Sequence, residues 1–243
     1  MFDFKKRLLI NIRKNLIKPV GGPRGYVYNL KLFFDEQKVK NVHYVDENID
    51  EAKLVTAYKK QGGILKDRIL KPLRNFVCYG VPLVISKSER EIEGGNYDVI
   101  HFHTTLEMYK NRKSLKNYSG VVVLTSHTPM VTHKEILMML TEKEKKIFGL
   151  VYNRLPIIDE YAFNRADYII FPCKEAEEPY YHTWNLYNDI KKKNINKYRY
   201  LLTGIEECQA KISKRDVREK YRIPDDAFVF CYVGRHNSVK GYD

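Results

Sequence analysis

Three of the seven histidines carry the most specific chemistry in the sequence. His101 and His103 close an apolar run two residues apart, which on a strand turns both to one face. His127 closes the next such run, in Thr125-Ser126-His127-Thr128-Pro129. Imidazoles gathered at one sheet edge suit a zinc site, a polar cleft edge facing a substrate, or core histidines with satisfied hydrogen bonds. No carboxylate or cysteine falls at companion spacing for zinc, so no metal is expected, and His101 reads as the structural member of the three.

Two further loops suit anions. Gly21-Gly22-Pro23-Arg24-Gly25 leads into a helical pattern, where glycines let backbone N–H groups approach a phosphate at a helix N-terminus. The spacing is neither a Walker nor a dinucleotide fingerprint, and a tight turn between strand and helix accounts for it equally. Arg235 and Lys240 sit in a glycine-bounded loop after an apolar strand, as a diphosphate-neutralising pair or as a solvated basic loop. Residues 64–76 place Leu65, Ile69, Leu73 and Phe76 on one helical face, with Lys66, Arg68, Lys71 and Arg74 around the rest. That pattern suits an interfacial helix on an anionic membrane, or an ordinary surface helix, and Pro72 would kink it or start it.

These residues need a scaffold. Strands are expected at 8–12, 42–45, 97–102, 121–126, 168–171 and 200–202, and helices at 26–38, 82–93, 134–152 and 157–164. Such alternation implies an α/β fold, a Rossmann-like doubly wound parallel sheet whose ligands bind beyond the carboxyl ends of its strands. Gly21, Gly22, His101, His103, His127, Thr203 and Gly204 all fall there. A second unit is expected from about residue 211, with a helix at 214–221, a turn at 223–226 and a strand at 227–233. The division expected is 1–210 and 211–243, the latter the truncated beginning of another Rossmann-like domain, because one strand makes no domain by itself.

The chain has 243 residues, 44% of them hydrophobic and 30% charged, as in ordinary globular proteins. A formal net charge of +13 favours a polyanionic partner, or marks a lysine-rich solvated surface. The 19 tyrosines form no recognisable RNA-binding motif with the basic residues, so nucleic acid is not the expected partner. Cys78, Cys173, Cys208 and Cys231 are scattered without CxxC spacing, which fits a reducing cytoplasm. No signal peptide or membrane span is visible, so a membrane would be met from its surface.

In order along the chain, the motifs resemble the family 4 (group 1) glycosyltransferases of GT-B fold. The resemblance rests on Gly21-Gly22 with Asn29-Leu30, residues 97–103, residues 124–129, residues 166–172, Thr203-Gly204-Ile205-Glu206, and Val233-Gly234-Arg235 through Lys240-Gly241. It implies an acceptor-side domain facing a nucleotide-sugar domain, and retaining transfer without a bound metal or other cofactor. By this resemblance Gly21 and Gly22 lie against the donor phosphates, His127 reaches the transferred sugar, and Arg235 and Lys240 hold the diphosphate. His103, Thr104, Thr203 and Gly204 form the expected acceptor side of the cleft. The implied partners are a nucleotide-sugar donor and a glycan or lipid-linked acceptor, at the inner face of an anionic membrane.

The sequence departs from the family at Thr203 and Pro172, where asparagine or serine is usual, and the paired glutamates of the family have no counterpart after Glu219. Weak donor binding by this chain alone is therefore expected. The alternative is a non-catalytic acceptor-binding half, or one subunit of a split enzyme completed by a separate donor domain.

Overall fold

Six short runs rich in β-branched and aromatic residues pair into one sheet. They are β1 (Leu8–Arg13), β2 (Val42–Val45), β3 (Val99–Phe102), β4 (Val121–Thr125), β5 (Tyr168–Phe171) and β6 (Tyr198–Tyr200). Every pairing is parallel and the order is β2-β1-β3-β4-β5-β6. The computed structural model describes residues 5–19, 22–45, 69–86, 90–202, 204 and 210–231. The chain divides into two units, Met1–Ile205 and Glu206–Asp243.

Register assigns the faces of the sheet. Leu9 lies beside Ile100, and Phe102 beside Leu124. These side chains join Val122, Ile169 and Phe171 in the main core, each at most 1% exposed. The helices Arg112–Lys116, Pro156–Arg165 and Tyr187–Lys193 close that core with Leu115, Phe163 and Tyr187. Each large apolar side chain so buried contributes about 1.5–3 kcal/mol. On the other face Leu8 and Ile10 pack under Val27 of the helix Pro23–Glu36. Helices thus lie on both faces of an all-parallel sheet, consistent with a Rossmann-like fold.

The chain leaves β1 for β2 on one side, then returns across β1 to β3 on the other. The strand order therefore reverses between β1 and β3, and ligands of open parallel sheets bind in the crevice beyond the carboxyl ends at such a reversal.

Several elements differ from expectation. The helix expected at 134–152 is three helices, Thr132–Met139, Glu142–Ile147 and Gly149–Tyr152. Leu140 is extended at its φ of −85° and ψ of 139°, and Thr141 opens a new helix through a capping box with Glu144. The helix expected at 82–93 divides at extended Ile85 into Val81–Val84 and Arg90–Gly94. β6 spans Tyr198–Tyr200, two residues earlier than expected.

In the second unit the helix Lys214–Tyr221 is capped by Ser213, whose Oγ accepts from Asp216 N at 3.1 Å. Residues 227–231 are not strand, since no neighbouring strand among the described residues of that unit offers them a ladder. Residues 232–243 lie outside the described residues.

Candidate functional site

The helix Pro23–Glu36 begins at the crevice. Its N-cap, Gly22, has φ 77° and ψ −156°, a region open to glycine and strained for other residues. Pro23 follows in the first turn, no side chain among the described residues caps the helix, and no acidic residue occupies that turn. The helix dipole therefore presents a positive end suited to an anion. One turn in, Val27 is buried on the β1 side chains and Tyr26 turns its ring to the histidines. Asn29 Nδ2 donates to the Gly204 carbonyl at 3.4 Å, which ties the loop after β6 to this helix.

His101 projects from β3 on the face that carries Ile10, and His103, the first residue beyond β3, lies beside it with ring centroids 4.2 Å apart. His101 Nε2 pairs with Thr125 Oγ1 at 2.7 Å across the β3–β4 boundary. His103 Nδ1 lies 3.0 Å from His127 Nε2, and the two rings stack at 5.3 Å. Tyr26 closes the group, with its ring 4.8 Å from that of His127 and 5.5 Å from that of His103. His103 is 3% exposed, and its Nε2 has no hydrogen-bond partner among the described residues.

Burial decides the charge state. It lowers His101 to about 3, helped by His127 nearby, and His127 to about 4. His103 is held well below the usual value of 6.5 by burial, then by the two neighbouring histidines. All three are neutral imidazoles near pH 7, so a single N–H bridges His103 and His127.

Hydroxyl contacts anchor the residues on either side of His127. The Tyr180 hydroxyl is 2.5 Å from Ser126 Oγ and 2.9 Å from Thr128 Oγ1, while Ser126 N donates to the Ile170 carbonyl at 2.9 Å. Burial pushes the Tyr180 phenol well up, so it remains a neutral hydroxyl. Behind this loop Asp159, fully buried, accepts from Thr105 Oγ1 at 2.8 Å, His133 N at 2.9 Å and His133 Nδ1 at 2.9 Å.

The sequence matches no family model and no curated protein.

Of the residues singled out in the sequence, His103 and His127 meet at the ring of Tyr26, whose backbone N donates to the Gly22 carbonyl at 3.2 Å, and Gly204 reaches the same helix through Asn29. Thr104 stands beside His103, but its Oγ1 accepts from Glu107 N at 3.1 Å as the N-cap of the helix Thr105–Lys110. Lys71 and Arg74 lie on the short helix Lys71–Asn75, where Pro72 occupies the first turn. Gly21, Thr203, Arg235, Lys240, Lys66 and Arg68 lie outside the described residues. Among the described residues no three His, Cys, Asp or Glu side chains are placed to hold a metal ion.

Sequence reasoning missed Tyr26 and Tyr180. Tyr26 sits four residues after Gly22 and so one helical turn beyond it, a spacing that places it over the same crevice. Tyr180 is 54 residues from Ser126, and nothing local announces the contact.

Proposed function

We propose that this chain supplies the acceptor-side part of a retaining GT-B glycosyltransferase, which moves a sugar from a nucleotide-sugar to a glycan or lipid-linked acceptor. The observation that carries the reading is the neutral His103–His127 pair against Tyr26, which lies in the first turn of the helix that Gly22 opens. A helix N-terminus favours the phosphates of a donor, and its fixed dipole stabilises the negative charge that grows as the diphosphate departs. A neutral His127 hydrogen-bonds a sugar hydroxyl without placing a competing cation beside the reacting carbon. His103 fixes the ring orientation of His127 through their shared N–H. Arg235 and Lys240 join this reading through the family resemblance, as the cations that hold the diphosphate.

The test is titration of the chain with nucleotide-sugars, nucleoside diphosphates and pyrophosphate, followed through the histidine ring signals by NMR. The reading expects the His127 and His103 signals to move together, with transfer to acceptor appearing once a donor domain completes the site. Histidine signals indifferent to every nucleotide and diphosphate at millimolar concentration would sink it.

A further inference from the structure

Helices of globular proteins usually hide their apolar side. The helical run at 69–84 turns much of its own outward. It comprises the helix Lys71–Asn75, a π-type turn Phe76–Gly80 and the helix Val81–Val84. Ile69, Leu73, Val77 and Val84, spaced by four, four and seven residues, are between 45% and 62% exposed. Asn75 instead points inward, where its Nδ2 donates to Glu144 Oε1 at 2.9 Å.

A second segment lies along the first. Phe76 stacks on Phe148 with ring centroids 4.4 Å apart, and the Tyr79 hydroxyl donates to Met139 Sδ at 3.8 Å. The helices Thr132–Met139, Glu142–Ile147 and Gly149–Tyr152 bring with them Met138, Met139, Ile147 and Leu150, all exposed, Leu150 at 90%. Cations are interleaved among these apolar groups. Residues 69–86 hold Lys71 and Arg74 and no acidic residue. Residues 132–154 hold Lys134, Lys143, Lys145, Lys146 and Arg154 against Glu135, Glu142 and the buried Glu144, with Lys145 paired to Glu142 at 2.6 Å. An adjoining open groove of about 480 Å³, lined in part by Lys134, Leu137 and Lys145, gives room for one phosphate headgroup beside Met138.

We infer that this two-segment face docks on the surface of an anionic phospholipid bilayer. The aliphatic and methionine side chains enter the boundary between headgroups and acyl chains, and the lysines and arginines meet lipid phosphates. Charge complementarity selects this occupant, because cations spread among exposed apolar side chains match an anionic, amphipathic surface. The inference is independent of the chemistry at the histidines.

The experiment is sedimentation of the full chain with vesicles of neutral phosphatidylcholine, or with roughly one-third phosphatidylglycerol, at low and at high salt. Binding at least about tenfold tighter to the anionic vesicles is expected, falling with salt. The pair L73E and L150E, and separately K143E and K146E, should each remove most of it while leaving the far-UV circular dichroism unchanged. Trp184 is the only tryptophan and is 4% exposed, so Leu150→Trp adds a surface reporter whose emission should shift to the blue on anionic vesicles. Equal binding to both vesicle types at low salt, or binding indifferent to both sets of substitutions, overturns the proposal. So does a dimer in light scattering that L73E with L150E splits, since the face would then belong to a second copy of the chain.

Discussion

His103 Nδ1 and His127 Nε2 share one hydrogen bond of 3.0 Å between residues just beyond the ends of adjacent strands, β3 and β4. His127 is half-buried while His103 is sealed, so the pair joins the crevice to the sheet. His127→Gln should preserve the fold and lower nucleotide-sugar affinity or turnover by about tenfold or more, as when a directed hydrogen bond is removed. Isothermal titration with the best donor, for wild type and variant, checks it. Unchanged affinity and turnover would remove His127 from the site.

Acid should unfold the protein through the same histidines. Their folded pKa values lie below the unfolded value of 6.5, at about 3 for His101 and about 4 for His127. The unfolded chain therefore takes up protons first. Stability is fully present above pH 6.5 and falls as pH drops toward 4, by about 1.4 kcal/mol per pH unit for each histidine. Urea unfolding at several pH values between 7.5 and 4.5 reads this directly. The His127→Gln slope should be shallower by one histidine.

Gly22 carries a backbone cost that no side chain relieves. A Cβ there meets nothing within 4 Å, so Gly22→Ala isolates the strain of φ 77°. It should destabilise by about 1–3 kcal/mol. Gly149 also has open space for a Cβ and no positive φ, so Gly149→Ala should be neutral or stabilise by up to about 1 kcal/mol. Thermal melts of the two variants distinguish conformational strain from lost space.

Tyr180 contributes one hydroxyl to two partners. Tyr180→Phe leaves Ser126 and Thr128 without it and should cost about 1–3 kcal/mol. It should also weaken ligand binding, because both residues flank His127. Denaturation and titration together separate the effects; a stability loss with full affinity would make Tyr180 purely structural.

Asp159 is fully buried and accepts three hydrogen bonds from Thr105 and His133. Asp159→Ala strands those donors and should cost about 3–5 kcal/mol, whereas Thr105→Val should cost less. Chemical denaturation of both variants ranks them.

The sheet was most legible at β4, where Val121, Val122, Val123 and Leu124 run together, because both faces of a parallel strand demand such residues. β6 lies two residues earlier than the sequence pattern predicts, because its tyrosines carry little alternation. The break in 134–152 was written in Thr141 and Glu144, a capping signature three residues apart that the apolar spacing around it obscured. The expected face of Leu65, Ile69, Leu73 and Phe76 held only partly among the described residues. Phe76 turns to Phe148 while Ile69 and Leu73 face outward. For the site, the strand ends pointed to His103 and His127. Tyr180 was out of reach, since a contact over 54 residues leaves no local pattern.

Glu144 is a single carboxylate serving two segments: it accepts from Thr141 N and Oγ1 and from Asn75 Nδ2. Burial would raise its pKa, but those hydrogen bonds outweigh the burial and hold it below the usual carboxylate value. The start of the helix Glu142–Ile147 and the middle of the 69–84 run therefore cannot open separately without stranding the same charge. Amide hydrogens in the two stretches should exchange as one cooperative unit, with a common opening free energy, and the outward-facing apolar surface should be lost or kept as a whole.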